Sequence, residues 1–206
     1  LIIKFGENFF SLFKIKNLYW RSRKKKIMKN LWNSYKTLRA RILVGLVGFI
    51  LPVIRKFYIL RPFSFSHESM RLMPLGSLGW TVARYLDNRG FELVQDYEIH
   101  DIKHILYGYE MTAEGEVRLQ CFLFGTGNYS IPVLGTMALG FLMMPDLWLH
   151  FAFDLLRGRF SQCQADPDYD HILKLPLEEA RTAAGIIDHR PIQLEPQEGE
   201  LKTAYS

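Results

Sequence analysis

Cysteine is scarce in this chain: Cys121 and Cys163 are the only two among 206 residues. They form neither a disulfide framework nor the paired spacing of a zinc knuckle. Cys121 reads as a core residue and Cys163 as a loop thiol. The uncharged run over 42–54 is thirteen residues long, short of the roughly 20 that a helix needs to cross a bilayer. No secretory signal is read near the start, because the first apolar residues precede no small-residue cleavage site and most charges follow them. An intracellular protein is expected. Internal repeats and low-complexity tracts are missing too. Strand-like alternation is confined to residues 91–96, which leaves helices as the material of the fold.

What is present includes 49% hydrophobic residues and 14% aromatics, enough for one globular domain with a full core. The formal net charge of +5 is unevenly spread. Residues 1–27 carry eight basic side chains (Lys4, Lys14, Lys16, Arg21, Arg23, Lys24, Lys25 and Lys26) against the single acid Glu7, so the remainder is slightly acidic. The compositional break suggests Met28 as the native start and residues 1–27 as a basic extension outside the native protein. On that reading a nucleic-acid partner loses its support. The rival reading is a basic amphipathic membrane anchor carrying Phe9, Phe10, Leu12, Phe13 and Trp20.

Helix punctuation organises the rest. Residues 42–54 are expected as a buried helix, or one lying in a membrane interface, ended or kinked by Pro52. The stripe Leu78, Val82, Tyr85 and Leu86 marks a helix over 78–88 that stops at Gly90. A second helix is expected over 98–107 with Gly108 closing it. A third should run over 113–124, with Thr112 as N-cap and Gly125 as stop. The apolar stretch 131–157, broken at Pro145, reads as two helices whose residues belong to a core or line a greasy cavity. Pro176 opens a short last helix with Glu178 and Glu179 in its first turn and Gly185 as stop. Beyond Asp188 the chain is polar, and residues 188–206 are expected as a flexible tail. The fold class is all-α, a single-domain helical bundle.

Within this frame the sequence H-D-x-x-H, eleven residues, then Glu places His100, Asp101, His104 and Glu116 as candidate metal ligands. His100 and His104 are four residues apart, so a helix stacks both imidazoles on one face. Asp101 can reach the ion or orient an imidazole. Glu116 follows a connection with Gly108 and Gly115 that can fold the chain back. Two imidazoles and one or two carboxylates suit zinc, and equally iron or manganese with open positions. A zincin-type protease would need Glu where Asp101 stands. The shorter aspartate reaches a metal-bound water poorly, so peptide hydrolysis ranks low.

Other motifs carry less. D-P-D-Y-D-H at 166–171 begins like a calcium loop but has His171 and Leu177 where Gly and Glu are required. G-T-G-N-Y-S at 125–130 lacks the third glycine of a dinucleotide loop. His150 and Asp154 share a helix face and read as a polar contact beside the core rather than a second metal site. His67, His171 and His189 have no partners at ligand spacing and read as surface or structural residues.

The metal motif, with H-D-I-K-H-I-L-Y-G-Y at 100–109, G-E-V-R-L-Q-C-F at 115–122 and P-L-E-E-A-R-T-A-A-G-I at 176–186, resembles the coenzyme Q (ubiquinone) biosynthesis protein four family over about residues 60–187. The chain departs from it at N-Y-S-I-P, residues 128–132, where the family commonly has a Gly-Leu-Pro-like turn. The resemblance implies an all-helical, membrane-peripheral protein with an apolar lipid-binding cavity, spanning residues 28–187. It would handle a polyprenylated quinone precursor or another prenyl lipid and bind a divalent metal, usually taken as zinc. It implies oxidative decarboxylation at ring carbon one, with His100, Asp101, His104 and Glu116 as ligands and the helices of 131–148 holding the prenyl tail. Asp101 or Glu116 would serve catalysis as proton acceptor. The expected setting is the inner, cytoplasmic face of a membrane, with other quinone-biosynthesis proteins or a second copy as partners. The alternative is a non-catalytic prenyl-lipid-binding or scaffold protein in which the metal only orients a head group.

Overall fold

The computed structural model describes residues 23–43, 45, 63–94, 96–163, 167–186 and 188–195. Two compact units divide the chain, Leu1–Ile42 and Leu43–Ser206. In the first, helix α1 (residues 23–42 of that unit) runs through Met28 without a break. On it the Arg39 guanidinium lies 5.4 Å from the Tyr35 ring and 6.0 Å from that of Trp32. The expectation for residues 42–54 lies outside the described residues except at 42, 43 and 45.

The second unit is built from α2 (His67–Arg71), α3 (Leu78–Arg89), α4 (Glu98–Tyr107), α5 (Ala113–Gly125), α6 (Ile131–Met143), α7 (Trp148–Phe160), α8 (Tyr169–Ile172) and α9 (Leu177–Ala183). A single 3-10 turn, Pro145–Leu147, links α6 to α7. Among the described residues the only β-pairing is an isolated bridge between Ser77 and Pro176. The alternating residues 91–94 form no strand. The all-helical expectation therefore holds.

Local chemistry sets the boundaries. The Ser77 hydroxyl accepts from Trp80 N–H at the start of α3, and Gly90, in the left-handed region at φ 67°, ends it. Thr112 caps α5 by accepting from Gly115 N–H. Gly108, at φ 75°, closes α4 and turns the chain toward α5. The last carbonyls of α4 are buried, and Arg181 of α9 satisfies them. Its Nε donates to Leu106 O at 3.1 Å and its Nη2 to Ile105 O at 3.2 Å.

The main core gathers Leu78, Val82, Tyr85 and Leu86 of α3 with Ile102, Ile105 and Leu106 of α4 and Leu119 and Phe122 of α5. On the other face of α5, Val117 and Cys121 join Leu43, Met144 and Phe151 in a smaller cluster. Helix α5 is thus sandwiched between α4 and the α6–α7 pair. One expectation fails here: Gly125 does not stop α5 but is its last helical residue, with Thr126 as cap. Its role is close approach. A Cβ at Gly125 would fall 2.1 Å from Leu155 O, and one at Gly158 would fall 2.1 Å from Phe122 O. The bare glycines let the backbones of α5 and α7 touch.

The break at Pro145 is observed, with α6 and the segment 145–160 bent by 103°. Among the described residues no single helix is long and apolar enough to cross a membrane, but this bent pair satisfies length and composition together. Its side chains are not mainly core, as composition suggested. In α6 only Val133 and Gly140 are buried. Ile131, Leu134, Leu142, Trp148, Leu149, Phe153, Leu156 and Phe160 are exposed. Soluble monomers rarely present so many large apolar side chains on consecutive helices.

Candidate metal centre

The two histidines project from successive turns of α4, their ring centroids 4.9 Å apart. Glu116 arrives from the first turn of α5 because the link between the helices is tight. A Cβ at Gly115 would sit 2.0 Å from Glu110 O, so only glycine lets residues 109–112 fold back this closely. The Glu116 carboxylate then lies between the rings. Its Oε1 is 3.3 Å from His100 Nε2 and its Oε2 is 3.0 Å from His104 Nε2. Ligand atoms about 2.0–2.1 Å from a tetrahedral ion stand roughly 3.3–3.4 Å from one another; the His100 contact lies on that edge, the His104 contact is shorter, and the three ligand atoms all fall within 4.8 Å of one another.

Orientation comes from a surrounding set of contacts. His104 is buried, 3% exposed, and its Nδ1 lies 3.3 Å from Tyr109 O. A carbonyl can only accept, so the proton sits on Nδ1 and donates to it. Gln120, one turn after Glu116, donates from Nε2 to Glu116 Oε1 at 2.7 Å. Sequence reasoning did not single out Gln120, although a Glu and Gln four apart on a helix face is a readable sign of contact.

Asp101 is placed differently from the other three. Its Oδ2 accepts from Val94 N–H at 3.2 Å, and its Oδ1 is 3.8 Å from His100 Nδ1. Ligand atoms of His100, His104 and Glu116 lie within 4.8 Å of one another, and this cluster of three does not include Asp101. The site opens on the His100 side, where that side chain is 32% exposed and Glu116 is 21% exposed.

Electrostatics follow from this packing. Burial opposes a charge on His100, but the Glu116 carboxylate and then Asp101 outweigh it and push the imidazole up to about 10. Burial likewise opposes ionised Glu116, yet His100 and His104 hold its carboxyl well below the usual range. The site is a carboxylate that demands positive charge from its neighbours. His100, His104 and Glu116 can hold a divalent ion there. Two imidazoles and a carboxylate serve zinc, iron and manganese alike.

The remaining candidates have other partners. Asp154 is fully buried and joined to Tyr109, Arg118 and Arg190, while His150 is exposed. Burial and the nearby Asp154 charge push the Cys121 thiol up to about 12, which keeps it out of thiolate chemistry. Both cysteines are free. His67 lies 3.3 Å from Asp87, His189 pairs with Glu178, and Asp168 caps α8 rather than opening a calcium loop.

No protein-family model matches the chain, and no curated protein does. Among solved structures it is similar to that of a protein from Nostoc punctiforme named provisionally as a ubiquinone biosynthesis protein. The identity is 20% and the TM-score 0.49, with 73% of this chain and 82% of that chain covered.

Proposed function

We propose that this chain is a metal-dependent protein of prenylated quinone-precursor metabolism, which removes the carboxyl group at ring carbon one of a polyprenylated benzoate with oxidation. The observation that carries the reading is the convergence of His100, His104 and Glu116 on one point that is open on the His100 side. A closed structural site would use its whole coordination sphere on protein atoms, whereas an open side leaves room for a head group. The family resemblance of the 100–116 motif supplies the substrate class.

In this reading His100, His104 and Glu116 hold the ion, and Gln120 fixes the Glu116 carboxylate. Asp101 orients His100, and Asp101 or Glu116 serves as the proton acceptor. When bound, a divalent ion supplies a Lewis acid that stabilises the charge developing as carbon dioxide leaves. The bond from ring carbon one to the carboxyl group breaks as carbon dioxide leaves, a hydroxyl from water bonds to that carbon, and the two electrons pass to dioxygen, which leaves as hydrogen peroxide. Gly140 of α6 packs against Val117 of α5, so the helix that carries Glu116 also seats α6, whose exposed apolar surface continues into α7. That surface is suited to a prenyl tail and to the surface of the membrane that holds such tails.

The test is metal analysis of the purified protein followed by a carbon dioxide release assay with a prenylated hydroxybenzoate. Stoichiometric metal and turnover that disappears in His100→Ala are expected. A protein that purifies without metal and takes none up would overturn the reading. Bound metal and bound lipid without turnover would leave a lipid-binding or scaffold role in its place.

A further inference from the structure

The buried Asp154 cluster lies on the far side of α5 from Glu116, yet it is joined to the metal centre through one residue. That residue is Tyr109, which clamps His104 twice. Its N–H donates to His104 O at 2.8 Å, and its carbonyl accepts from His104 Nδ1 at 3.3 Å. Its own side chain is almost completely buried, and its hydroxyl donates to Asp154 Oδ1 at 3.0 Å.

Asp154 would be a costly residue to bury alone. Arg118 of α5 donates to it from Nε at 2.7 Å and from Nη2 at 3.4 Å. Arg190, beyond α9, donates from Nη1 at 2.6 Å. Arg157 donates from Nη1 to both the Tyr109 hydroxyl at 3.1 Å and Tyr107 O at 2.8 Å. The three guanidinium groups surround the Tyr109 ring at 5.3 to 5.8 Å. Elements distant in sequence therefore hold one tyrosine in one place.

We propose that Asp154, with Arg118 and Arg190, is a positioning device for the metal centre: it locks Tyr109, whose carbonyl keeps His104 in the Nδ1–H tautomer with Nε2 turned to the ion. The proposal rests on the metal-centre reading. A neutral imidazole has one proton, and a metal-ligating nitrogen must be without it. If the Tyr109 carbonyl drifts, His104 loses the acceptor that keeps its proton on Nδ1. The link is mechanical and hydrogen-bonded, through contiguous groups.

The experiment measures zinc affinity by chelator competition in the full chain, for wild type, Asp154→Asn and Tyr109→Phe, with melting temperature and helical circular dichroism recorded beside it. Asp154→Asn is expected to weaken zinc binding by about tenfold, the usual scale for groups behind a ligand histidine, and Tyr109→Phe by about threefold. In zinc-loaded protein labelled with 15N-histidine, the His104 Nδ1–H resonance should exchange with solvent faster in both variants. A purely structural cluster would lower the melting temperature and leave zinc affinity and that resonance unchanged, which would overturn the proposal. Tyr109→Phe keeps the ring among the arginines, so it decides the matter if Asp154→Asn does not fold. Wild type that takes up no zinc would remove the metal-centre reading itself, a failure distinct from variants that bind zinc as wild type does.

Discussion

His104 Nε2 stands 3.0 Å from Glu116 Oε2 while its Nδ1 faces the carbonyl of Tyr109. Both ring nitrogens of one imidazole thus meet oxygen acceptors. A neutral ring has one N–H to offer, so a positive charge, proton or metal, belongs in the gap between His104 and Glu116. The same holds on the other carboxylate oxygen, where His100 supplies the charge as an imidazolium.

Metal loading must then displace protons. The His100 imidazole, pushed up to about 10, is protonated at neutral pH, and a ligand nitrogen cannot keep its proton. Apparent metal affinity should therefore rise as pH rises, approaching tenfold per unit for each proton displaced, and level off near pH 10. Metal-free protein behaves in the opposite sense. A raised folded-state pKa stabilises the fold below the unfolded value of about 6.5 and loses that contribution as pH climbs toward 10. Melting temperature of the metal-free form should fall between pH 7 and 10, and bound zinc should remove that fall. Calorimetry in buffers of different ionisation enthalpy counts the released protons; zero release at pH 7 would contradict the imidazolium.

The roles of the carboxylates separate by magnitude. Glu116→Ala and His100→Ala remove direct ligands and should cost a hundredfold or more in zinc affinity, beyond the roughly 10–100-fold typical of supporting groups. Asp101→Asn, if Asp101 only orients His100, should cost about tenfold and no more. A loss equal to that of Glu116→Ala would make Asp101 a ligand. Helical circular dichroism should be unchanged in all three, because the site lies where the α4–α5 face opens to solvent.

Much of this centre is legible in sequence because helical spacing is arithmetic. His100 and His104 must share a face, Gly108 must end α4, and Thr112 must cap α5. What stays hidden is whatever depends on a partner far along the chain. The carbonyl of Tyr109 carries no side-chain signature, and nothing near Asp154 announces Arg190. Gly125 reads as a stop because glycine serves both as terminator and as contact point, and only the position of Leu155 O distinguishes them. In α6 nearly every residue is apolar, so no stripe tells which face is covered. Composition therefore suggested core where the structure presents surface.

Two glycines in α5 should respond differently to the same substitution. Gly115→Ala and Gly125→Ala each drive a methyl to about the same distance from a backbone carbonyl, 2.0 Å from Glu110 O and 2.1 Å from Leu155 O. Backbone cannot rotate away as a side chain can, so each should destabilise by about 3 kcal/mol, at the upper end of overpacking costs. Only Gly115→Ala reopens the link that carries Glu116 back to α4. It should lose zinc affinity as well as stability, whereas Gly125→Ala should lose stability and keep zinc. Denaturant unfolding paired with chelator competition separates the two.

The exposed face of α6 and α7 makes a prediction about surfaces rather than ions. Leu149 and Phe153 are 75% and 67% exposed and lie four residues apart on one side of α7, opposite the buried Phe151, Asp154 and Gly158. Replacing both with serine removes no packing from the core, so the melting temperature should stay within about 1 °C, as for ordinary surface changes. If this face enters the boundary of a lipid bilayer, each side chain contributes about 1.5–3 kcal/mol of transfer free energy. Binding of the Leu149→Ser, Phe153→Ser double variant to neutral phosphatidylcholine vesicles should then weaken by at least about a hundredfold. Neutral vesicles matter here, because the basic residues of 1–27 would hold any variant to an anionic surface and mask the apolar contribution. Equal sedimentation of variant and wild type with such vesicles would show that the face serves something other than a bilayer.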